Sequence, residues 1–103
     1  MVQCAQCKQE LSEKEGGDRV ASISGGIMGD EYTETYYFCK ACGVYTVEVY
    51  HDRFCGEPSV FVRGPVPKAD GDAKVELIRQ CSEPWSKRCR CPAHMEYFDG
   101  SLD

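Results

Sequence analysis

The sequence predicts an α+β protein, an antiparallel β-sheet followed by two short C-terminal helices that carry a second cysteine-rich metal site. Three observations lead there. Runs of β-branched and aromatic residues, punctuated by glycine, fill roughly the first two thirds of the chain. A helical apolar stripe appears after residue 72. Eight cysteines stand among 103 residues, most of them in close pairs. Hydrophobic content of 42% and charged content of 28% are ordinary for a globular chain and argue against large-scale disorder. The length supports one domain with a small appendage, divided here into a β unit (1–66) and a helical, Cys/His-rich extension packed on it (67–103).

Residues 1–18 open with Cys4 and Cys7 and then turn polar, and Gly16-Gly17-Asp18 marks a turn. "RVASIS" (19–24) reads as a strand, Gly25-Gly26 as a break, and "IMGDEYTETYYF" (27–38) as the next strand of a meander. After the Cys39–Cys42 turn, "VYTVEVYH" alternates with period two. Tyr45, Val47, Val49 and His51 share one face, and Val44, Thr46, Glu48 and Tyr50 the other. "SVFVR" (59–63) supplies a fourth strand, and the prolines of "GPVPKADGD" are expected to end the sheet. "DAKVELIRQC" places Ala73, Leu77 and Cys81 at i, i+4 and i+8 with Val75 and Ile78 beside them, a helix capped by Asp70 or Asp72. The last helix follows Cys91, with Pro92 at its first position.

Compartment decides how the cysteines are used. The N-terminal residues show no basic stretch followed by an apolar one, so no secretory signal is expected. No segment approaches the roughly 18 apolar residues of a membrane-spanning helix. A cytoplasmic location follows as the expectation, bacterial or archaeal on compactness and the lack of long tails. There, clustered cysteines serve metal or redox chemistry far more often than disulfides.

The first constellation is Cys4, Cys7, Cys39 and Cys42, two C-x-x-C pairs with 31 residues between them. Each such turn aims two sulfurs the same way. Two turns face to face supply four thiolates in a tetrahedron, which suits zinc with Zn–S near about 2.3 Å. Gly43, after the second pair, eases the chain out where φ > 0 is wanted. This arrangement resembles a zinc ribbon over about residues 1–52. The resemblance implies one structural zinc clamped by two knuckles, and it leaves the function wide open. A rubredoxin-like iron site is the alternative, although Lys8 follows the first pair and Lys40 lies inside the second, where that family carries glycine and proline. A thioredoxin-type dithiol fits poorly, because Cys39–Cys42 leads into a strand and not into a helix N-terminus.

The second constellation packs Cys81, Cys89, Cys91 and His94 into 14 residues. If Pro92 begins a helix, Cys91 and His94 fall within reach of one ion. Cys89 joins through the loop and Cys81 from the end of the preceding helix, giving a Cys₃His zinc set. Cys55 competes with His94 for the fourth place. His51 reads as an ordinary hydrogen-bonded residue continuing an apolar strand face. Two zinc ions per chain are expected in all.

Four thiolates on Zn²⁺ leave a charge of about −2, and Cys₃His about −1. Lys8 and Lys40 flank the first set, and Lys87, Arg88 and Arg90 the second, in positions to offset that charge. Trp85 is expected to cover the junction of the two helices. The tyrosines are expected to pair across the sheet, and any exposed ones to offer a protein-binding face. The net charge of −5 disfavours nucleic acid, which would need Lys87–Arg90 to join Lys8, Lys40 and Arg53 in one patch. No catalytic motif or phosphate loop is visible, and four protein ligands per ion leave no open coordination position. The sequence therefore reads as a non-catalytic zinc-binding module or adaptor with a protein partner and no membrane.

Overall fold

The β-rich middle of the chain forms what its alternation demands. In the computed structural model, which describes residues 2–12, 17–53 and 56–100, four strands make an antiparallel meander: β3 (Arg19–Ile27), β4 (Asp30–Cys39), β5 (Val44–Asp52) and β6 (Ser59–Pro67). Ahead of them, β1 (Val2–Gln3) and β2 (Glu10–Leu11) close a two-stranded ribbon around the first cysteine turn. Helix α1 (Lys68–Gln80) and helix α2 (Pro92–Tyr97) follow the sheet.

One face of the sheet is buried under the helices. Ile23, Tyr36, Tyr45, Val47 and Val49 project from it onto Val75 and Ile78 of α1 and onto Tyr97 and Phe98. A polar chain runs outward from this junction. Tyr36 donates to the Tyr97 oxygen at 2.6 Å, Tyr97 donates to Glu34 at 2.5 Å, and Arg63 donates to the same carboxylate at 2.7 Å. Burial, and then the Glu34 charge, hold the Tyr97 phenol far above its ordinary range. It therefore serves as a fixed donor.

Among the described residues, the other face is covered at one end. There Val2, Cys4 and Leu11 pack on Tyr37, Cys39, Cys42 and Val44. Thr46 is fully buried beneath this ribbon and accepts a hydrogen bond from the Ala5 N–H at 2.9 Å, which satisfies both groups.

Several elements depart from the sequence expectation. β3 runs straight through Gly25 and Gly26, which pair with Tyr32 and Glu31; the turn comes later, at Met28 and Gly29, both in left-handed conformation. Ladder pairing on β4 outweighs the weak strand preference of glycine there. β6 likewise continues past Gly64 to Pro67. It is an edge strand, where proline removes no required ladder bond. Helix α1 consequently starts at Lys68 with Pro67 before it and no side-chain cap, so neither Asp70 nor Asp72 caps it. Asp72 instead accepts from Lys68 and from the Tyr45 hydroxyl. The buried stripe is Gly71, Val75 and Ile78, with Ala73 exposed. Trp85 does not cover a helix junction; it is 69% exposed.

Candidate metal centres

The first centre joins two turns that the sheet holds in place. Cys39 ends β4 and Cys42 precedes β5, while the β1–β2 ribbon delivers Cys4 and Cys7 from the opposite side. Both turns use the same backbone device. Lys8 N–H donates to the Cys4 carbonyl at 3.0 Å and Gly43 N–H to the Cys39 carbonyl at 2.8 Å. Lys8 and Gly43 adopt nearly identical positive φ, 67° and 68°. Glycine accepts this freely, whereas lysine does so at a cost.

The four sulfurs lie within 4.8 Å of one another. Cys4 and Cys42 are 3.9 Å apart and Cys7 and Cys39 3.8 Å apart. A tetrahedron with bonds of about 2.3 Å has edges of about 3.8 Å, so the donor set fits a tetrahedral thiolate-bound ion. Burial opposes ionisation of Cys4, but the Cys7 and Gln6 N–H groups and the neighbouring thiols, all aimed at its sulfur, bring its pKa down to about 6. Hydrogen bonding to Cys7, followed by desolvation, pushes Cys42 up to about 12. Four sulfurs so close share little negative charge unless a cation balances it, and a divalent ion would supply that balance.

The second centre is built by the C-terminal segment. Cys81 lies buried at the end of α1, and Cys91 is the N-cap of α2, its sulfur accepting from the His94 N–H at 3.4 Å. Pro92 stands at the helix start, as the sequence predicts. Cys81 Sγ lies 3.5 Å from Cys89 Sγ and 3.4 Å from His94 Nδ1, and all four donor atoms lie within 4.8 Å of one another. A mixed sulfur–nitrogen tetrahedron has edges of about 3.6 Å. His94 is fully buried, and its Nε2–H donates to the Ser24 carbonyl at 2.6 Å. That bond fixes the tautomer and leaves the Nδ1 lone pair facing the sulfurs. Desolvation pushes Cys81 up to about 12, whereas the His94 N–H draws Cys91 down.

The eight residues singled out in the sequence therefore converge into two groups of four. Cys55 lies outside the described residues. His51 is hydrogen-bonded to Asp30 at 2.8 Å and stacked on Tyr32. The Ser24 contact of His94 went unforeseen, because nothing local in the sequence links positions 70 residues apart.

The cations that flank the centres occupy opposite ends of the sheet. Lys8 and Lys40 stand at the Cys39 end of β4, whereas Lys87 pairs with Glu31 near its start, about 27 Å away along the strand. Arg90 donates to the carbonyls of Lys87 and Cys89, closing the loop on itself. No protein-family model, curated protein or solved structure matches this chain.

Proposed function

We propose that this is a non-catalytic, zinc-ribbon-type protein of the bacterial or archaeal cytoplasm that holds two structural zinc ions and acts as a protein-interaction module. The observation that carries this reading is the pair of four-membered donor sets, each complete in itself. A closed tetrahedron has no position for a reacting water, in contrast to the three-ligand sets of catalytic zinc. Tetrahedral thiolates serve zinc and iron alike, but the Cys₃His set is characteristic of structural zinc.

The surface supports a protein partner. Trp85 and the exposed Arg88 stand on a loop braced by the second centre. Tryptophan and arginine on a rigid support are the residues that most often dominate protein interfaces. The division of the lysines between two ends of the sheet favours a protein over nucleic acid.

Metal analysis of protein purified without added metal tests the reading. Two zinc ions per chain are expected. A coloured, iron-containing protein with a reversible potential would replace it with electron transfer. A chain that holds no metal would overturn it. Salt-dependent retardation of a nucleic-acid probe, lost on replacing Lys87, Arg88 and Arg90 together, would overturn the choice of partner.

A further inference from the structure

We propose that Cys7 is an oxidation site: a hydroperoxide attacks its sulfur first, Cys39 closes a disulfide with it, and the first centre empties while the second stays filled. The inference rests on the zinc reading above for the ion released, and not for the disulfide itself.

Three features single out Cys7. Of the seven cysteines among the described residues, it alone is exposed; Cys42, Cys89 and Cys91 are half-buried, and Cys4, Cys39 and Cys81 are buried. Its sulfur also lacks the backbone cover given to others. Gln6 N–H donates to the Cys4 sulfur at 3.4 Å, His94 N–H to the Cys91 sulfur at 3.4 Å, and Glu83 N–H to the Cys81 sulfur. The neighbour of Cys7 Sγ is instead another sulfur, Cys39 Sγ at 3.8 Å. Donors aimed at a thiolate stabilise its charge and so lower its nucleophilicity. Third, four thiolates leave about −2 on a divalent ion and Cys₃His about −1, so the sulfurs of the first centre are richer in electrons. An accessible, uncovered thiolate with a second thiol in reach is what oxidation selects.

The Cys7 thiolate attacks one peroxide oxygen. An S–O bond forms, the O–O bond breaks, and the leaving alkoxide or hydroxide takes a proton from water. The sulfur has lost two electrons and the peroxide has gained them, leaving Cys7 as a sulfenic acid. The Cys39 thiolate then attacks the Cys7 sulfur; the S–S bond forms, the S–O bond breaks, and hydroxide departs and is protonated. Two thiolates, one hydroperoxide and two protons thus give one disulfide, one alcohol (or water) and one water. Cys4 and Cys42 are the donors left, too few to hold a structural ion. The β1–β2 ribbon stays docked, because the new bond ties it to the end of β4. Its packing through Val2 and Leu11 and its Ala5–Thr46 hydrogen bond do not use the Cys7 sulfur. The second centre is better guarded. Its close sulfur pair is Cys81 and Cys89, 3.5 Å apart, but Cys81 is 5% exposed, His94 is fully buried, and Pro84 is fixed against β3 by the Ser24 N–H.

Stepwise addition of hydrogen peroxide to the full, reduced chain tests the proposal. Zinc is counted before and during the titration with a zinc-responsive dye, and disulfides are located by mass spectrometry after the free thiols are capped. The first step should release one of the two ions, consume two thiols and yield a Cys7–Cys39 link, with the circular dichroism spectrum kept. A dithiol reductant with added zinc should reverse it. In Cys39→Ser the oxygen should stay on Cys7, where a 1,3-diketone probe captures it. Should that variant disturb folding, the disulfide map of the parent chain carries the test. A first link among Cys81, Cys89 and Cys91, oxygen captured first on another cysteine, loss of both ions together, or thiols left intact would each overturn the proposal. A chain purified without zinc would fail the zinc reading, and its disulfide map would still decide this one.

Discussion

Gly71→Ala should destabilise the protein, although alanine is the better helix former. Gly71 sits inside α1 directly over the Tyr45 ring. A Cβ there would lie 2.1 Å from Tyr45 Cδ2 and 2.6 Å from Cε2, far inside contact distance. The ring has nowhere to go. Tyr45 is 5% exposed, packs on Phe38 and Tyr36, and donates to Asp72 at 2.6 Å. Overpacking of this kind costs about 1–3 kcal/mol. Displacing the ring would also weaken the Asp72 bond, which puts the cost at the upper end of that range. The helix gain returns about 1 kcal/mol. The net loss is about 2 kcal/mol, which lowers the melting temperature by roughly 8–16 °C in a domain of this size. Thermal unfolding followed by circular dichroism, at fixed metal content, measures it. In the Tyr45→Ala background the same substitution should no longer destabilise, because the obstructing ring is gone. A Gly71→Ala protein as stable as the parent would refute the packing account of α1 on β5.

Further outcomes follow from the two centres. His94→Ala should reduce bound metal from two ions to one, and the stranded Ser24 carbonyl adds about 1–3 kcal/mol of destabilisation, read by metal analysis and urea unfolding. Lys8→Gly should stabilise by up to about 1 kcal/mol, since relief of the left-handed conformation outweighs the added freedom of the unfolded chain. Complete chelation should collapse the thermal transition, because apparent zinc binding of about 10–16 kcal/mol matches or exceeds the ~5–15 kcal/mol stability of a typical domain. An unchanged melt of metal-free protein would contradict that. Acid should release metal, because thiolates must stay deprotonated to bind; Cys4, with its pKa brought down to about 6, should be among the last to protonate, and a zinc-responsive dye would follow the release.

Both donor sets could be read in the sequence because close pairs of cysteines are local features. The spacing of Cys4 and Cys7, or of Cys91 and His94, puts both members of a pair within reach of one ion, while the choice between His94 and Cys55 for the second set stays open in the sequence. The β5 alternation was equally plain, and Tyr45, Val47 and Val49 are buried as it requires. What escaped depended on tertiary context. Gly25-Gly26 and Pro65 look like breaks, yet the two glycines are held in the ladder by Tyr32 and Glu31 of β4, and the proline lies on an edge. Gly71 carries no apolar side chain, so a hydrophobic stripe passes over it, whereas the ring of Tyr45 demands a gap there. Trp85 lies outward because Pro84 is used to pair with β3, a contact no local pattern encodes.

That Pro84 contact has a consequence for solubility. The loop from Cys81 to Cys91 lies where another strand would dock on β3, and it is held there by His94 and by the donor atoms gathered around it. If this centre came apart, β3 would be uncovered as a second edge on a sheet beside whose β6 edge the described residues place no strand. A molecule with one open end can only pair, but a molecule with two can form filaments. Disrupting the second centre should therefore favour filamentous aggregates over single chains.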